Sequence, residues 1–311
     1  VSELGRLLRW YPEVWRSRYG EELEALLEDE LAGRPPSRRL RLSLALAGLR
    51  ERAHAAALVG GEAPPTERAR AGVLVVLGAW SAFILAGASY EKLAEHFAGA
   101  LPAAHRSVPQ SAFDVVVGAA VLAGVLSVLG VALSGPAFAR SLRSGAWPAL
   151  RRHVVRAGAV TALALAGVAA LVPWAHGLTS AQRNGGDASY GAAFLTVAAC
   201  GAVGLALWSR AAMAAYRRLT LHRRTAVVVS ALAVGVAAAM MAATVNTAIW
   251  WGQVALHAPW FLHGTASGTP GSALDPQLAL TAVVMLLAVV ASLYGVVRIG
   301  RSWVDLRRST G

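Results

Sequence analysis

Six long apolar runs, separated by short connectors, constrain this chain more than any other feature. The first, Ala71–Tyr90, reads AGVLVVLGAWSAFILAGASY and carries no formal charge. A bilayer core about 30 Å thick is crossed by roughly 20 apolar residues in a helix. Five further runs of that kind follow, at about Phe113–Leu133, Val154–His176, Tyr190–Trp208, Thr225–Trp250 and Gln277–Val297. In hydrocarbon every backbone N–H and C=O must be paired inside the protein, and a single apolar run achieves this as a helix. The expected fold class is therefore all-α: an integral membrane bundle of about six transmembrane helices, preceded by a small cytosolic helical domain. The expected division is a head over 1–60, a linker over 61–70, the six-helix transmembrane domain over 71–300 and a cytosolic tail over 301–311.

Charge supports the same partition. Only 15% of the 311 residues are charged, against about 25% in soluble chains. Eleven of the 17 acids precede residue 71. The net charge is +12, and Lys92 is the only lysine. A basic surplus can signal nucleic acid, but here its placement follows the apolar runs. Arg68 and Arg70 precede the first run. Arg140, Arg143, Arg151, Arg152 and Arg156 lie between the second and third, and Arg210, Arg217, Arg218, Arg223 and Arg224 between the fourth and fifth. Arg298, Arg301, Arg307 and Arg308 follow the sixth. The alternate connectors hold Lys92, Arg106 and Arg183 alone. Positive charge stays on the cytoplasmic side of a membrane. Both termini are thus expected in the cytoplasm, the lipid bilayer is the expected partner, and no direct nucleic-acid contact is expected. The preference for arginine, with abundant Ala, Gly and Val, points to a GC-rich bacterial genome and hence to a bacterial cytoplasmic membrane. The first run begins near residue 71 and is not expected to be a cleavable export signal.

Before that run the pattern is amphipathic. Leu4, Leu7, Leu8 and Tyr11 recur at helical spacing, and Pro12 closes that turn or opens the next helix. Val14, Trp15, Tyr19, Leu23, Leu26, Leu27 and Leu31 continue a stripe of threes and fours. Glu21, Glu22, Glu24, Glu28, Asp29 and Glu30 fall largely beside it. Gly33, Pro35 and Pro36 form a stop. Ser37 is placed to cap a third helix through Leu40, Leu44 and Ala47 to about Leu58, with Leu42, Leu46 and Leu49 as a second apolar face. Gly60, Gly61, Pro64 and Pro65 break and stiffen the link, and Thr66 is placed to cap the first span. A core of about 60 residues is marginal, so the stripe is either internal to a three-helix unit or covered by a partner.

Chemistry-bearing residues are sparse. Charges inside spans usually mark function, and these spans hold essentially none; Asp114 sits at the start of the second. Asn246, with Thr244 and Thr247, is the most polar patch in a span, read as an interhelical hydrogen bond or a ligand contact. Cys200 is the only cysteine, a packed residue rather than a metal ligand. No phosphate loop, His-Glu-x-x-His or Gly-x-Ser-x-Gly occurs, so neither an enzyme nor a cofactor is expected. Five histidines, His96, His105, His176, His257 and His263, fall on the outer side, with no tight metal spacing. The connector Trp251–Pro276 is apolar in its first half and rich in Gly, Ser, Thr and Pro in its second. It is either a plain connector or an external-ligand site, for which His257, Trp260 and His263 are the candidates. Trp174, Trp250, Trp251 and Trp260 near outer ends, with Trp147 and Trp303 near inner ones, read as an aromatic belt. Gly158, Ala162, Ala166 and Ala170 allow close helix approach, within the bundle or in a homo-oligomer.

The head carries a resemblance. Tyr11-Pro12-Glu13-Val14-Trp15-Arg16-Ser17-Arg18-Tyr19-Gly20-Glu21-Glu22, then Ala25-Leu26-Leu27-Glu28-Asp29, resembles a phrase in the heads of actinobacterial multi-pass membrane proteins. It is similar to permease-prefix domains and to membrane proteins paired with extracytoplasmic-function sigma factors. The match covers about residues 4–58. The zinc-type anti-sigma signature His-x3-Cys-x2-Cys is absent, so the resemblance is to zinc-free anti-sigma factors. It implies a membrane regulator whose head binds a cytosolic protein such as a sigma factor through Trp15, Tyr19, Leu23, Leu26 and Leu27, rimmed by Arg16, Arg18, Glu21 and Glu22. The alternative is a permease subunit served by a separate ATPase docking on arginines 210–224. Topology is testable first: a non-permeant label added outside intact cells should fail to reach a tag at Gly311, and labelling there would overturn the arrangement.

Overall fold

The computed structural model describes residues 3–32, 34–60, 63–94, 97–179, 182, 187–216, 219, 222–262 and 276–308. Among them there is no strand. Helix α1 (Glu3–Leu7) runs into a 3-10 turn at Leu8–Trp10, followed by α2 (Glu13–Leu31) and α3 (Arg38–Ala55). Then come α4 (Pro65–Ala94), the short α5 (Phe97–Ala100), a 3-10 turn at Ala103–His105, α6 (Ser107–Ser141) and α7 (Trp147–His176). The chain continues through α8 (Ala188–Tyr216), α9 (Arg223–His257), the short α10 (Pro259–Leu262) and α11 (Pro276–Arg308). Six of these, α4, α6, α7, α8, α9 and α11, are long and apolar enough to cross a membrane. Two compact units result: Val73–Val297, and Val1–Gly72 together with Arg298–Gly311.

Within Val73–Val297, α9 is the most regular packing element. Val229, Ala233, Val236, Met240, Ala243, Thr247, Trp250 and Val254 are buried in alternating steps of four and three. That seven-residue repeat keeps one seam of a helix against its neighbours. Helix α6 runs antiparallel to it: Gly130 faces Leu232, and Leu126 faces Gly235, where an added Cβ would lie 3.0 Å from the Leu126 Cδ1. Helices α7 and α8 form a second antiparallel pair. Gly167 meets Val197 so closely that a Cβ would come within 2.5 Å of its Cγ2. Gly204 faces Thr161, whose hydroxyl accepts from the Trp208 indole N–H at 2.9 Å. Without water between helices to expel, such close backbone approach supplies much of the cohesion in lipid. Leu163, Leu165, Phe194 and Leu195 stand exposed on this pair, a surface suited to hydrocarbon rather than water.

Several connectors are shorter than the apolar runs imply. Helices α6 and α7 meet at a kink over Leu142–Ala146, where Gly145 takes φ +90, a value glycine adopts without steric cost. The basic residues there lie mostly on helices: Arg140 on α6, and Arg151, Arg152 and Arg156 on α7. Arg223 and Arg224 open α9. Cations at a helix N-terminus oppose its dipole by about 0.3–1 kcal/mol. Placing an arginine in mid-bilayer costs about 2.5–3.5 kcal/mol on insertion scales, so the bilayer outweighs the dipole. Asp114, expected at a helix start, sits two turns inside α6 and accepts from Gln110 at 3.0 Å. Asn246 and Thr244 donate to their own helix, at the carbonyls of Ala242 (2.9 Å) and Met240 (3.0 Å), rather than across to a neighbour.

In the other unit, Leu27 of α2 and Leu44 of α3 form a small core, with Leu7, Leu23, Leu31 and Leu40 packed around it. Ser37 caps α3, accepting from the Leu40 N–H at 3.2 Å. Thr66 does not cap α4; the helix begins at Pro65, which lacks the N–H that the first turn leaves unpaired. Gly48 lies against the Leu8–Trp10 turn, where a Cβ would fall 2.7 Å from that of Trp10. Arg52 donates to the carbonyls of Arg9 and Trp10. Of the tail expected over 301–311, the part up to Arg308 is helical, as a continuation of α11. Arg298 donates through Nε to the Ala57 carbonyl at 2.8 Å and through a terminal nitrogen to the carbonyls of Ala57 and Gly60. Arg68 pairs with Asp305 at 2.8 Å. Hydrogen bonds from a charged donor contribute about 1.5–3 kcal/mol, so Arg298→Gln should loosen the segment after α3. Limited proteolysis should cut between residues 56 and 64 about tenfold faster than in the parent protein; an unchanged rate would remove Arg298 from the role of anchor.

Candidate functional site

Two surfaces concentrate chemistry. The first is α2. Its buried line, Leu23, Leu27 and Leu31, is spent on the head's own core, so Leu23 and Leu27 are not free to meet a partner, contrary to the role given them by the resemblance. An adjacent line remains outside. Trp15, Tyr19, Glu22 and Leu26 recur at the i, i+4, i+7, i+11 spacing that shares one helix face. Leu26 is 61% exposed and Tyr19 40%. Trp15 stacks on Tyr11 at 4.2 Å and leans on Tyr19 at 5.5 Å. Arg18 lies over the Tyr19 ring at 5.3 Å. Arg16 and Glu21 are exposed but belong to other faces of α2. From Glu13 to Glu30 the helix carries seven carboxylates against Arg16 and Arg18, so the exposed aromatic stripe stands in a negative field.

The second surface is where α4, α6 and α9 end on the side away from their arginines. Trp250 is fully buried there. Tyr90 meets it edge-on at 5.4 Å, Phe97 at 5.4 Å, Trp251 at 6.5 Å and Phe261 at 6.3 Å. Phe97 also touches Phe113 at 5.5 Å. Trp250 is thus the hub of an aromatic cluster rather than a belt residue at the membrane interface. His257, at the end of α9, packs edge-on to His105 with ring centroids 3.9 Å apart. Trp260 is partly exposed beside Phe261, and His263 lies outside the described residues. Sequence reasoning singled out His257 and Trp260; it missed Tyr90 and Phe97, whose membership depends on helix contacts no local pattern encodes. No group of three or more His, Cys, Asp or Glu suited to a metal occurs among the described residues.

Among the described residues, the cluster holds buried polar atoms without partners: the Tyr90 hydroxyl, the Thr247 hydroxyl, the indole N–H groups of Trp250 and Trp251, and Nδ1 of His257. The Trp251 indole faces the Tyr90 hydroxyl without closing a hydrogen bond to it. An unpaired buried polar group costs about 1–3 kcal/mol. Outside the spans, Asp187 caps α8, accepting from the backbone of Ser189 (3.0 Å) and Tyr190 (3.1 Å) and from the Ser189 hydroxyl. That hydroxyl, chiefly, holds the Asp187 carboxyl below its ordinary range.

Comparison with family models, curated proteins and solved structures found no match to the chain. The unpaired hydroxyl is directly testable. Tyr90→Phe keeps the ring against Trp250 and removes the orphan group, so thermal unfolding in detergent should be unchanged or raised by about 1 kcal/mol. Trp250→Ala should cost about 3–5 kcal/mol. Destabilisation by Tyr90→Phe of more than about 1 kcal/mol would show that the hydroxyl has a partner in the folded protein.

Proposed function

We propose that this chain is a membrane-anchored regulatory protein whose helical head holds a cytosolic protein, with a zinc-free anti-sigma role as the specific reading. The observation carrying it is the division of labour on α2. One line of leucines closes the head's core, and on the neighbouring line Tyr19 and Leu26 are exposed and Trp15 is half-buried. Exposed aromatic and aliphatic side chains on one helix face are the means by which helices dock into a groove. Large aromatics dominate such contacts energetically. Arg18 and Glu22 border the line and supply polar selectivity.

The bundle fits an anchor better than a transport path. The buried face of α9 is Val, Ala, Met and Trp250, with Ser230 and Thr247 as its hydroxyl-bearing members, and Ser292 is the buried polar residue in the spanning part of α11. A coupled transporter would place ionisable groups near mid-bilayer. Among the described residues the spans offer no Asp, Glu, Lys, Arg or His there.

The full-length protein, purified in mild detergent from its own host, should retain a sigma factor. Trp15→Ala with Leu26→Ala should lower retention at least tenfold; Leu26→Ala alone should lower it while leaving the thermal unfolding of the head unchanged, because Leu26 is exposed, whereas Trp15 also stacks on Tyr11. Retention of no sigma factor, or equal retention by the double variant, overturns the reading.

A further inference from the structure

The third helix presents a face that the head does not use. Leu42, Leu46 and Leu49 are 63%, 58% and 46% exposed, and their i, i+4, i+7 spacing places them in one row. Leu40 and Leu44, which pack in the core, lie on the opposite side of the same helix. Helical geometry sets Arg38 and Arg52 along one edge of the exposed row and Arg39 and Arg50 along the other, while Glu51 falls on the core side. Arg52 is engaged with the carbonyls of Arg9 and Trp10; Arg38, Arg39 and Arg50 are exposed. The helix carries five arginines and one glutamate, the reverse of α2. A leucine row between cationic margins is the pattern of a helix lying in the plane of an anionic membrane surface.

Chain continuity brings lipid within reach. Arg298, at the arginine-rich end of the last span, grips the carbonyls of Ala57 and Gly60, immediately after α3. Arg68, three residues into α4, pairs with Asp305 of α11. The end of α3 is therefore tied to the ends of two spanning helices on the side where their arginines collect.

We propose that α3 lies on the inner leaflet, with Leu42, Leu46 and Leu49 among the lipid headgroups and Arg38, Arg39 and Arg50 on anionic phosphates. Because α2 packs on the opposite side of α3, this placement keeps α2, with its Trp15–Tyr19–Leu26 line, on the cytosolic side. The inference depends on the arginine-defined inner side and not on the identity of any partner.

Single cysteines at 28, 42, 46 and 49, in full-length protein with Cys200→Ser, would each carry an environment-sensitive fluorophore. The protein would be reconstituted in vesicles of phosphatidylglycerol with phosphatidylcholine, or of phosphatidylcholine alone. In anionic vesicles, labels at 42, 46 and 49 should be quenched by nitroxide lipids and shielded from aqueous iodide, whereas the label at 28 should show the opposite. Arg38→Gln and Arg39→Gln should each weaken that shielding roughly fivefold, the factor expected per basic residue at an anionic surface. Labels on α3 as open to iodide as the label at 28 would overturn the proposal. So would shielding that persists in detergent without lipid, since a protein surface would then be the cover.

Discussion

Helices already dissolved in hydrocarbon gain little from hiding apolar side chains from one another, so the bundle depends on how closely its backbones can approach. The seam of α9 meets that constraint with small residues interspersed among larger ones. Ala233 sits between Val229 and Val236, Ala243 follows Met240, and Gly235 admits Leu126 of α6. The pair α7 and α8 uses Gly167 and Gly204 in the same way. Toward the end of α9 that lacks arginine the seam changes character. Thr247 and Trp250 occupy positions that alanine and valine hold elsewhere, and an aromatic cluster fills the wider space around them. The orphan donors of that cluster follow from this choice: indoles and phenols pack well, and each brings a polar atom into a place with few acceptors.

The head solves a different problem, how two short amphipathic helices can hold together with one small core. Leu27 and Leu44 supply the contact, and a ring of leucines completes it. Each helix retains a further apolar row, of opposite electrostatic surroundings: acidic along α2, basic along α3. The α3 row faces away from that core, and the α2 row runs beside it. Arg298 ties down the turn that follows α3 by donating to the carbonyls of Ala57 and Gly60.

Much of this was legible from residues alone, for identifiable reasons. The six spans follow from length and hydropathy, which are properties of a segment in lipid and need no neighbour. Ser37 as the cap of α3 follows from a local hydrogen bond three residues long. The errors also share a cause. Leu23, Leu26 and Leu27 look alike in a stripe, yet two pack inside and one stays outside, because α3 reaches only one flank of α2. Trp250 and Trp260 look alike as interfacial aromatics, yet Trp250 is wholly enclosed. Asn246 and Thr244 bond within their own helix, where a carbonyl one turn back is always nearer than a neighbouring chain.

Hydropathy and arginine placement by themselves determined that this protein is a helical bundle built for a membrane, because burying a backbone in hydrocarbon and moving a guanidinium through it are costs set by the segment and the lipid. Tertiary structure alone decided which face of each helix is spent on the fold and which remains for function. The selection of Tyr90, Phe97 and Trp250 as one cluster, and of Arg298 as the clasp on residues 57 and 60, joins positions distant in the chain. Such contacts depend on the rotation and register of packed helices, and periodicity within a single helix cannot specify either.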